Sequence, residues 1–126
     1  MLFSMLIDSL SRKLTSAEEL QPLLAKYVCG EDVALGIAAS ARPFVVAALF
    51  ARRPRPMLVV VSGAGGAERF AHALAAFIGL RNVSVMPERS DLPWRRDAPD
   101  LGEVGQRTSA LGRLAHGRPV VVVTSA

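Results

Sequence analysis

The segment that comes nearest to a phosphate-binding loop is GIAASARP, residues 36–43. A loop of that kind needs glycines so that backbone N–H groups can surround the phosphates, a lysine for the outer phosphates and a hydroxyl for Mg²⁺. Gly36 holds the first glycine position, but the second glycine, the lysine and the hydroxyl are replaced by Ala41, Arg42 and Pro43. The segment therefore has the spacing of a phosphate-binding loop but lacks most of its functional groups.

Each replacement removes one part of nucleotide chemistry. The Cβ of Ala41 penalises the left-handed backbone that such loops often need, and Pro43 has neither a hydroxyl nor an N–H donor. Arg42 keeps a positive charge near a predicted helix N-terminus, where anions bind. No acidic residue ends either of the two most apolar predicted strands, so a carboxylate to help hold Mg²⁺ is missing. We interpret Gly36, Ala41, Arg42 and Pro43 as a vestigial phosphate loop that binds no cofactor.

A second glycine-rich loop, SGAGGAE, spans residues 62–68. Gly63 and Gly65 match the start of a dinucleotide fingerprint, but Glu68 occupies the third glycine position. Two glycines after a strand are more often a flexible crossover turn than a ligand loop. The alternative is a nucleotide or anion site built from Arg42 and residues 63–66.

The remaining reactive side chains do not form a site in the sequence. His72 lies off the apolar stripe of its helix and is predicted to face solvent, whereas His116 suits the negative end of another helix. Neither has a second histidine, a cysteine or a carboxylate at metal-ligand spacing. Cys29 follows an apolar residue and is predicted to be a buried structural thiol. We therefore predict no catalytic residue and no metal site.

Trp94, Arg95 and Arg96 form the one aromatic and basic cluster, in a proline-rich loop at residues 87–99. Such side chains can stack on nucleic-acid bases or on a protein partner, which makes these three the candidate partner contact. The competing interpretation, which we favour, is that Trp94 covers the edge of the sheet while the charges face water.

The spacing of apolar residues predicts two N-terminal helices. The first has four apolar residues on one face: Phe3, Ile7, Leu10 and Leu14. The second begins near Pro22 and ends at Gly30, since proline suits a first helical turn and glycine suits a helix end.

Strands and helices then alternate from residue 32 onward. The predicted strands are residues 33–37, 57–61, 83–86 and 120–124, and the predicted helices are residues 43–53, 67–78 and about 101–116. The strands at 57–61 and 120–124 are apolar on both faces, which is typical of a parallel sheet covered on both sides. The predicted fold class is α/β, with three layers, a mostly parallel sheet of about four strands, and helices on both faces.

The composition excludes several classes of protein. The 126 residues carry 15 basic and 11 acidic side chains, and 51% of the residues are hydrophobic, so the chain can bury a core and is not a disordered polypeptide. No uncharged stretch reaches the roughly 18 apolar residues of a membrane-spanning helix. A single cysteine cannot form an internal disulfide and suggests a reducing cytosol, so a cytoplasmic location is expected. Arginine dominates the basic residues, which is only a weak indication of nucleic-acid binding.

The predicted domain organisation has two parts. Residues 1–30 form an N-terminal helical segment that packs on the domain, and residues 31–126 form the α/β module. The sequence ends directly after a strand that reads as central and buried, and such a strand normally leads to another covering element. We expect the module to be the truncated first domain of a longer chain.

Several segments in order resemble one family. GIAASAR is followed by the LVVV strand, by Pro87, Leu92, Pro93 and Trp94, and finally by the VVVTS strand. The helix before that last strand carries matching residues at Gly105, Arg107, Ala110, Leu111 and Leu114. Over residues 35–125 this order resembles the N-terminal module of the bacterial transcription-repair coupling factor (Mfd) family. The individual segments are unspecific, whereas their order and spacing are fairly specific.

The resemblance implies a fold and a parent activity. The module is similar to the first domain of the excinuclease B protein, a P-loop-NTPase-like fold, with its nucleotide site lost. The parent implied is an ATP-dependent DNA translocase with helicase-like motors, which displaces stalled RNA polymerase and recruits the excinuclease A protein during nucleotide excision repair of DNA damage. ATP and Mg²⁺ would act in motor domains beyond residue 126, and no catalytic residue carries over to this sequence.

Two functional hypotheses follow. The first is a non-catalytic module of such a factor. Its partners would be other domains of the parent chain and, through the parent, the excinuclease A protein, RNA polymerase and DNA, with no membrane. The second is a free-standing α/β protein that binds a nucleotide or an anion.

Overall fold

Four α-helices and three β-strands make up the described part of the chain in a computed structural model of the protein. The structure describes residues 16–88 and 100–126, together with Ser9, Arg12, Lys13 and Ala98. The helices are α1 (Gln21–Cys29), α2 (Arg42–Arg52), α3 (Ala64–Ile78) and α4 (Leu101–Ala115). The strands are β1 (Met57–Val61), β2 (Val83–Met86) and β3 (Val121–Ser125).

The three strands form a parallel sheet in the order β1-β3-β2. Met57 lies opposite Val121 at one end of the β1 and β3 pair, and Val61 lies opposite Ser125 at the other. Val83 also pairs with Val121, so the last strand in the sequence is the central one. This confirms the predicted α/β class, the parallel sheet and the central position of the final strand.

Helices cover both faces of β3. The first face is packed by α2 and α3 in a cluster of seven buried residues: Ala47, Phe50, Ala67, Ala71, Leu74, Val121 and Val123. The second is packed by α4, where Ala110 meets Val120 and Val122. Successive side chains of a strand point to opposite faces, so adjacent valines belong alternately to the two clusters. The predicted three-layer arrangement is confirmed for the described residues.

The second face of the sheet is only partly covered at β1. Leu58 and Val60 on that strand are each 56% exposed. A helix is about 10 Å wide and strands lie about 4.8 Å apart, so one helix covers two strands. The helix α4 packs against β2 and β3. The prediction that both faces of residues 57–61 are covered is therefore wrong for the described part of the chain.

The fourth strand, predicted at residues 33–37, does not form. Residues 31–38 have no regular secondary structure, and Val33 and Leu35 are 39% and 46% exposed. A strand needs a neighbour to pair its backbone N–H and C=O groups. Residues 33–37 pair with none of the three described strands, so their apolar composition alone does not make a strand.

The helix α1 follows the predicted signals at both ends. Pro22 lies in its first turn. Gly30 ends it with a left-handed φ of 78° and donates its N–H to the carbonyls of Lys26 and Tyr27. The earlier predicted helix with Phe3, Ile7, Leu10 and Leu14 lies outside the described residues, as do Trp94, Arg95 and Arg96.

The helix α1 is held against the loop after α2 by two arginines. Arg53 donates from Nη1 to the carbonyl oxygen of Val28 over 3.1 Å, and Arg55 donates from Nε to the hydroxyl of Tyr27 over 3.0 Å. The Arg55 guanidinium also lies 4.4 Å from the centre of the Tyr27 ring, a cation–π distance. These contacts attach the N-terminal helix to the module; the division at residue 30 stays a prediction. Within the described residues, no helix is both long and apolar enough to cross a membrane.

Leu74→Ala is expected to lower the free energy of unfolding by about 2–5 kcal/mol, because Leu74 is fully buried between α3 and the sheet and its loss leaves a cavity. Urea denaturation followed by circular dichroism measures the change. The matched control is Leu80→Ala, whose side chain is 80% exposed and which should change stability by less than about 0.5 kcal/mol. Equal losses in the two variants would contradict this account of the core.

Candidate functional site

An open cleft of about 620 Å³ lies at the carboxyl end of β1, between the start of α2 and the first turns of α3. The residues that line it are Ala39, Arg42, Pro43, Val60, Val61, Ser62, Gly66, Arg69, Phe70 and Ala73. Ligands of parallel α/β sheets bind outside the carboxyl ends of the strands. The cleft is therefore in the region where this fold class places its sites.

The two glycine-rich segments singled out in the sequence meet in this cleft. Arg42 and Pro43 come from the first segment, and Ser62 and Gly66 come from the second. They meet because α2 packs on α3, with the rings of Phe44 and Phe77 5.1 Å apart. About twenty residues of chain separate the segments, so only the packing of the two helices brings them together.

The four residues of the vestigial phosphate loop take different positions. Arg42 is exposed at the start of α2, and Pro43 is buried in the first turn of that helix. Ala41 ends a short 3₁₀ turn, Ala39–Ala41, and donates its N–H to the carbonyl of Ala38 over 3.0 Å. Gly36 lies in the exposed irregular segment and is not among the lining residues. Of these four, Arg42 and Pro43 reach the cleft.

Arg69 lines the same cleft as Arg42, although no sequence motif had indicated a role for it. Its Nε donates to the carbonyl oxygen of Gly65 over 3.1 Å, one helical turn earlier. That bond holds the side chain against the start of α3 and leaves its two Nη groups for other partners. The sequence feature that could have indicated Arg69 was its position, one turn into the helix that follows a glycine-rich segment.

The electrostatic character of the cleft is positive. Arg42 and Arg69 contribute two guanidinium groups, and no carboxylate is among the described residues that line it. The N-terminus of α3 adds the positive end of its helix dipole. A site of this kind can hold an anion. Among the described lining residues, no histidine or carboxylate lies beside the Ser62 hydroxyl to act as a base.

A carboxylate does reach the carboxyl edge of the sheet, at a place that the sequence did not indicate. Glu88, two residues after β2, accepts a hydrogen bond of 2.6 Å from the hydroxyl of Ser125 at the end of β3. The predicted absence of an acid concerned the ends of β1 and β3, whereas this one comes from the neighbouring strand. Glu88 is not among the described residues that line the cleft.

The other candidate residues remain apart from one another. His72 is exposed, as predicted, and His116 lies at the end of α4 with Nδ1 2.6 Å from the carbonyl oxygen of Gly112. Cys29 is exposed, so the prediction of a buried thiol is wrong; α1 buries only Leu23 and Leu24. Across the described ranges, no three histidine, cysteine, aspartate or glutamate side chains are grouped to hold a metal ion.

The amino-acid sequence of the chain is similar to part of two transcription-repair-coupling factors. No family model matches the chain. The transcription-repair-coupling factors of Mycobacterium bovis and Mycobacterium tuberculosis are each 38% identical to it over 102 residues. The match covers 75% of this chain and 8% of each of those proteins. The chain is therefore similar to one small region of these much longer proteins.

Gly63→Ala is expected to lower the free energy of unfolding by about 1–3 kcal/mol, because Gly63, the N-cap residue before α3, has a φ of 74° that residues with a Cβ rarely adopt. A Cβ at Gly63 meets nothing within 4 Å, so the cost is in the backbone conformation. The control is Gly65→Ala in the first turn of α3, which should stabilise that helix by up to about 1 kcal/mol. Thermal or urea unfolding of both variants measures the difference, and a neutral Gly63→Ala would contradict the assignment.

Proposed function

We propose that this chain is a non-catalytic module of a transcription-repair coupling factor. The observation that carries the proposal is the 38% identity over 102 residues to two proteins of that name. The α/β fold with a parallel sheet is compatible with a degenerate relative of the P-loop NTPases, which is the fold we propose for the complete module. In this proposal residues 31–126 form the module and residues 1–30 pack on it.

The composition of the cleft supports the absence of catalysis in this module. Productive ATP binding uses a lysine, a hydroxyl and a carboxylate around Mg²⁺, whereas the described lining residues include none of these except the Ser62 hydroxyl. Pro43 also removes a backbone donor from the first turn of α2. The cleft therefore lacks the groups that would position a triphosphate and activate water, and ATP and Mg²⁺ are assigned to the motor domains of the parent.

The role that we propose is that of a scaffold. The parent would be a cytoplasmic, ATP-dependent DNA translocase that displaces stalled RNA polymerase and recruits the excinuclease A protein, and this chain would support those parts without contacting a membrane. Leu58 and Val60 on β1 are compatible with such a role, since two neighbouring apolar side chains are exposed on one face of the sheet, where another part of the parent would cover them. Contacts with DNA and RNA polymerase would be made by the parent as a whole.

The purified chain is expected to hydrolyse no ATP. With Mg²⁺ and ATP up to about 1 mM, the upper end of common KM values, phosphate release should equal that of the buffer blank. The control for a contaminating ATPase is Arg42→Gln, which removes the one cation at the former lysine position. Saturable turnover in the unaltered chain that disappears in this variant would show that the module is an enzyme and refute the proposal.

A chimera tests the proposed role directly. We expect a Mycobacterium tuberculosis transcription-repair-coupling factor, with its matching region replaced by this chain, to keep faster repair of the transcribed strand than of the other strand. The measurement is strand-specific removal of DNA lesions in cells that carry only the chimera. A chimera carrying Leu80→Ala is the matched control for a neutral change. A well-expressed chimera that repairs both strands at the same rate would argue against the scaffold role.

A further inference from the structure

We propose that the cleft between α2 and α3 binds a phosphate monoester, with the phosphate held by Arg42 and Arg69 and the organic part of the ligand on an apolar wall. This binding site goes beyond the scaffold role and does not depend on it. The proposal rests on three features of the described residues: uncompensated positive charge, an accessible backbone at the start of α3, and the shape and apolar lining of the cleft.

The charge of the two arginines is not neutralised within the described part of the chain. Arg42 is exposed, and the structure gives its guanidinium no hydrogen bond or ion pair there. Arg69 uses one donor for the carbonyl of Gly65, which is a neutral partner and leaves the positive charge in place. Guanidinium groups bind phosphate through pairs of N–H donors in one plane, and such charge-assisted bonds are stronger than neutral ones.

The backbone at the start of α3 is open to a ligand. The first N–H groups of a helix have no partner inside the helix, and the helix dipole makes that end positive. Added Cβ atoms at Gly63 and Gly65 would each meet no described atom within 4 Å, so there is free space beside both residues. A phosphate held by Arg69 therefore lies close to a helix end that also favours an anion.

The cleft is larger and more apolar than a bare phosphate requires. Its volume of about 620 Å³ lies inside the range of pockets that hold small organic ligands. Part of its lining is apolar: Pro43, Val60, Val61, Phe70 and Ala73. Phe70 and Ala73 are half-buried in the cleft, so a ligand that covers these side chains would remove apolar surface from water. The ligand is therefore an organic phosphate with an apolar or aromatic body.

A monophosphate suits the cleft better than a triphosphate. Three linked phosphates bring more negative charge than two guanidinium groups offset, and they are normally bound with Mg²⁺. The described lining residues offer no carboxylate to such a metal ion. Binding in this cleft is accordingly expected to be independent of Mg²⁺ and to lead to no reaction.

The test is a titration of the full chain, observed by ¹⁵N–¹H NMR, with phenyl phosphate at constant ionic strength. Saturable shifts are expected at Arg42, Ser62, Gly63, Gly66 and Arg69. Inorganic phosphate should move the same signals with at least tenfold weaker affinity, since it lacks the apolar body. Phenol and benzoate, which carry the same ring with no charge or with a carboxylate, should each bind at least tenfold more weakly than phenyl phosphate.

Variants locate the site. The double variant Arg42→Gln, Arg69→Gln should lose at least tenfold in affinity for phenyl phosphate while keeping its melting temperature within a few degrees. Arg52→Gln is the matched control, because Arg52 is an exposed arginine at the opposite end of α2 from Arg42. That control should bind phenyl phosphate as the unaltered chain does.

Three results would overturn the proposal. Phenol that binds as well as phenyl phosphate would show a purely apolar pocket, and benzoate that binds as well would show no preference for phosphate. An equal loss of affinity in Arg52→Gln and in the double variant would show nonspecific attraction to the basic surface. None of these results affects strand-specific repair by the chimera, so failure here leaves the proposed scaffold role standing on its own test.

Discussion

The valines of β3 are buried on both faces of the sheet, and this burial determines where the neighbouring elements lie. Val121, Val122 and Val123 of β3 and Val120, which directly precedes it, have no exposed surface. Each contributes about 1.5–3 kcal/mol by leaving water, as an upper estimate. Both hydrophobic clusters include residues of this segment, and both neighbouring strands pair with β3. The helices are placed where they are because they must cover this strand.

The position of β3 also determines what meets at the carboxyl edge of the sheet. Parallel strands end together, so the hydroxyl of Thr124 donates to the carbonyl of Met86 over 3.0 Å and Ser125 reaches Glu88. Arg107 on α4 donates to the carbonyl of Pro87 over 2.6 Å, which anchors the end of β2. The cleft lies at the carboxyl end of β1, between α2 and α3, whereas α4 packs on the other face of the sheet.

The cleft illustrates how a positive site can exist without the groups needed for nucleotide hydrolysis. Arginines and a helix N-terminus attract anions whatever their origin, whereas hydrolysis also requires a metal ligand and an activated water. The described lining residues supply the first set of groups. A non-catalytic module similar to a small region of transcription-repair-coupling factors and a binding site for an organic phosphate are therefore compatible in one chain.

Elements with local signals could be predicted from the sequence alone. Pro22 and Gly30 marked the two ends of α1, and the apolar residues at 57–61 and 120–124 predicted parallel strands close to where β1 and β3 form, although only β3 is buried on both faces. The apolar composition of residues 33–37 predicted a strand that does not form, because a strand needs a partner strand. The apolar neighbour of Cys29 predicted a buried thiol, whereas the thiol is exposed, because burial depends on what packs against the helix. Only the packing of the folded chain leaves β1 partly open beside α4 and places Arg69 and Arg42 in the same cleft. These outcomes depend on contacts between residues far apart in the chain, which no local pattern encodes.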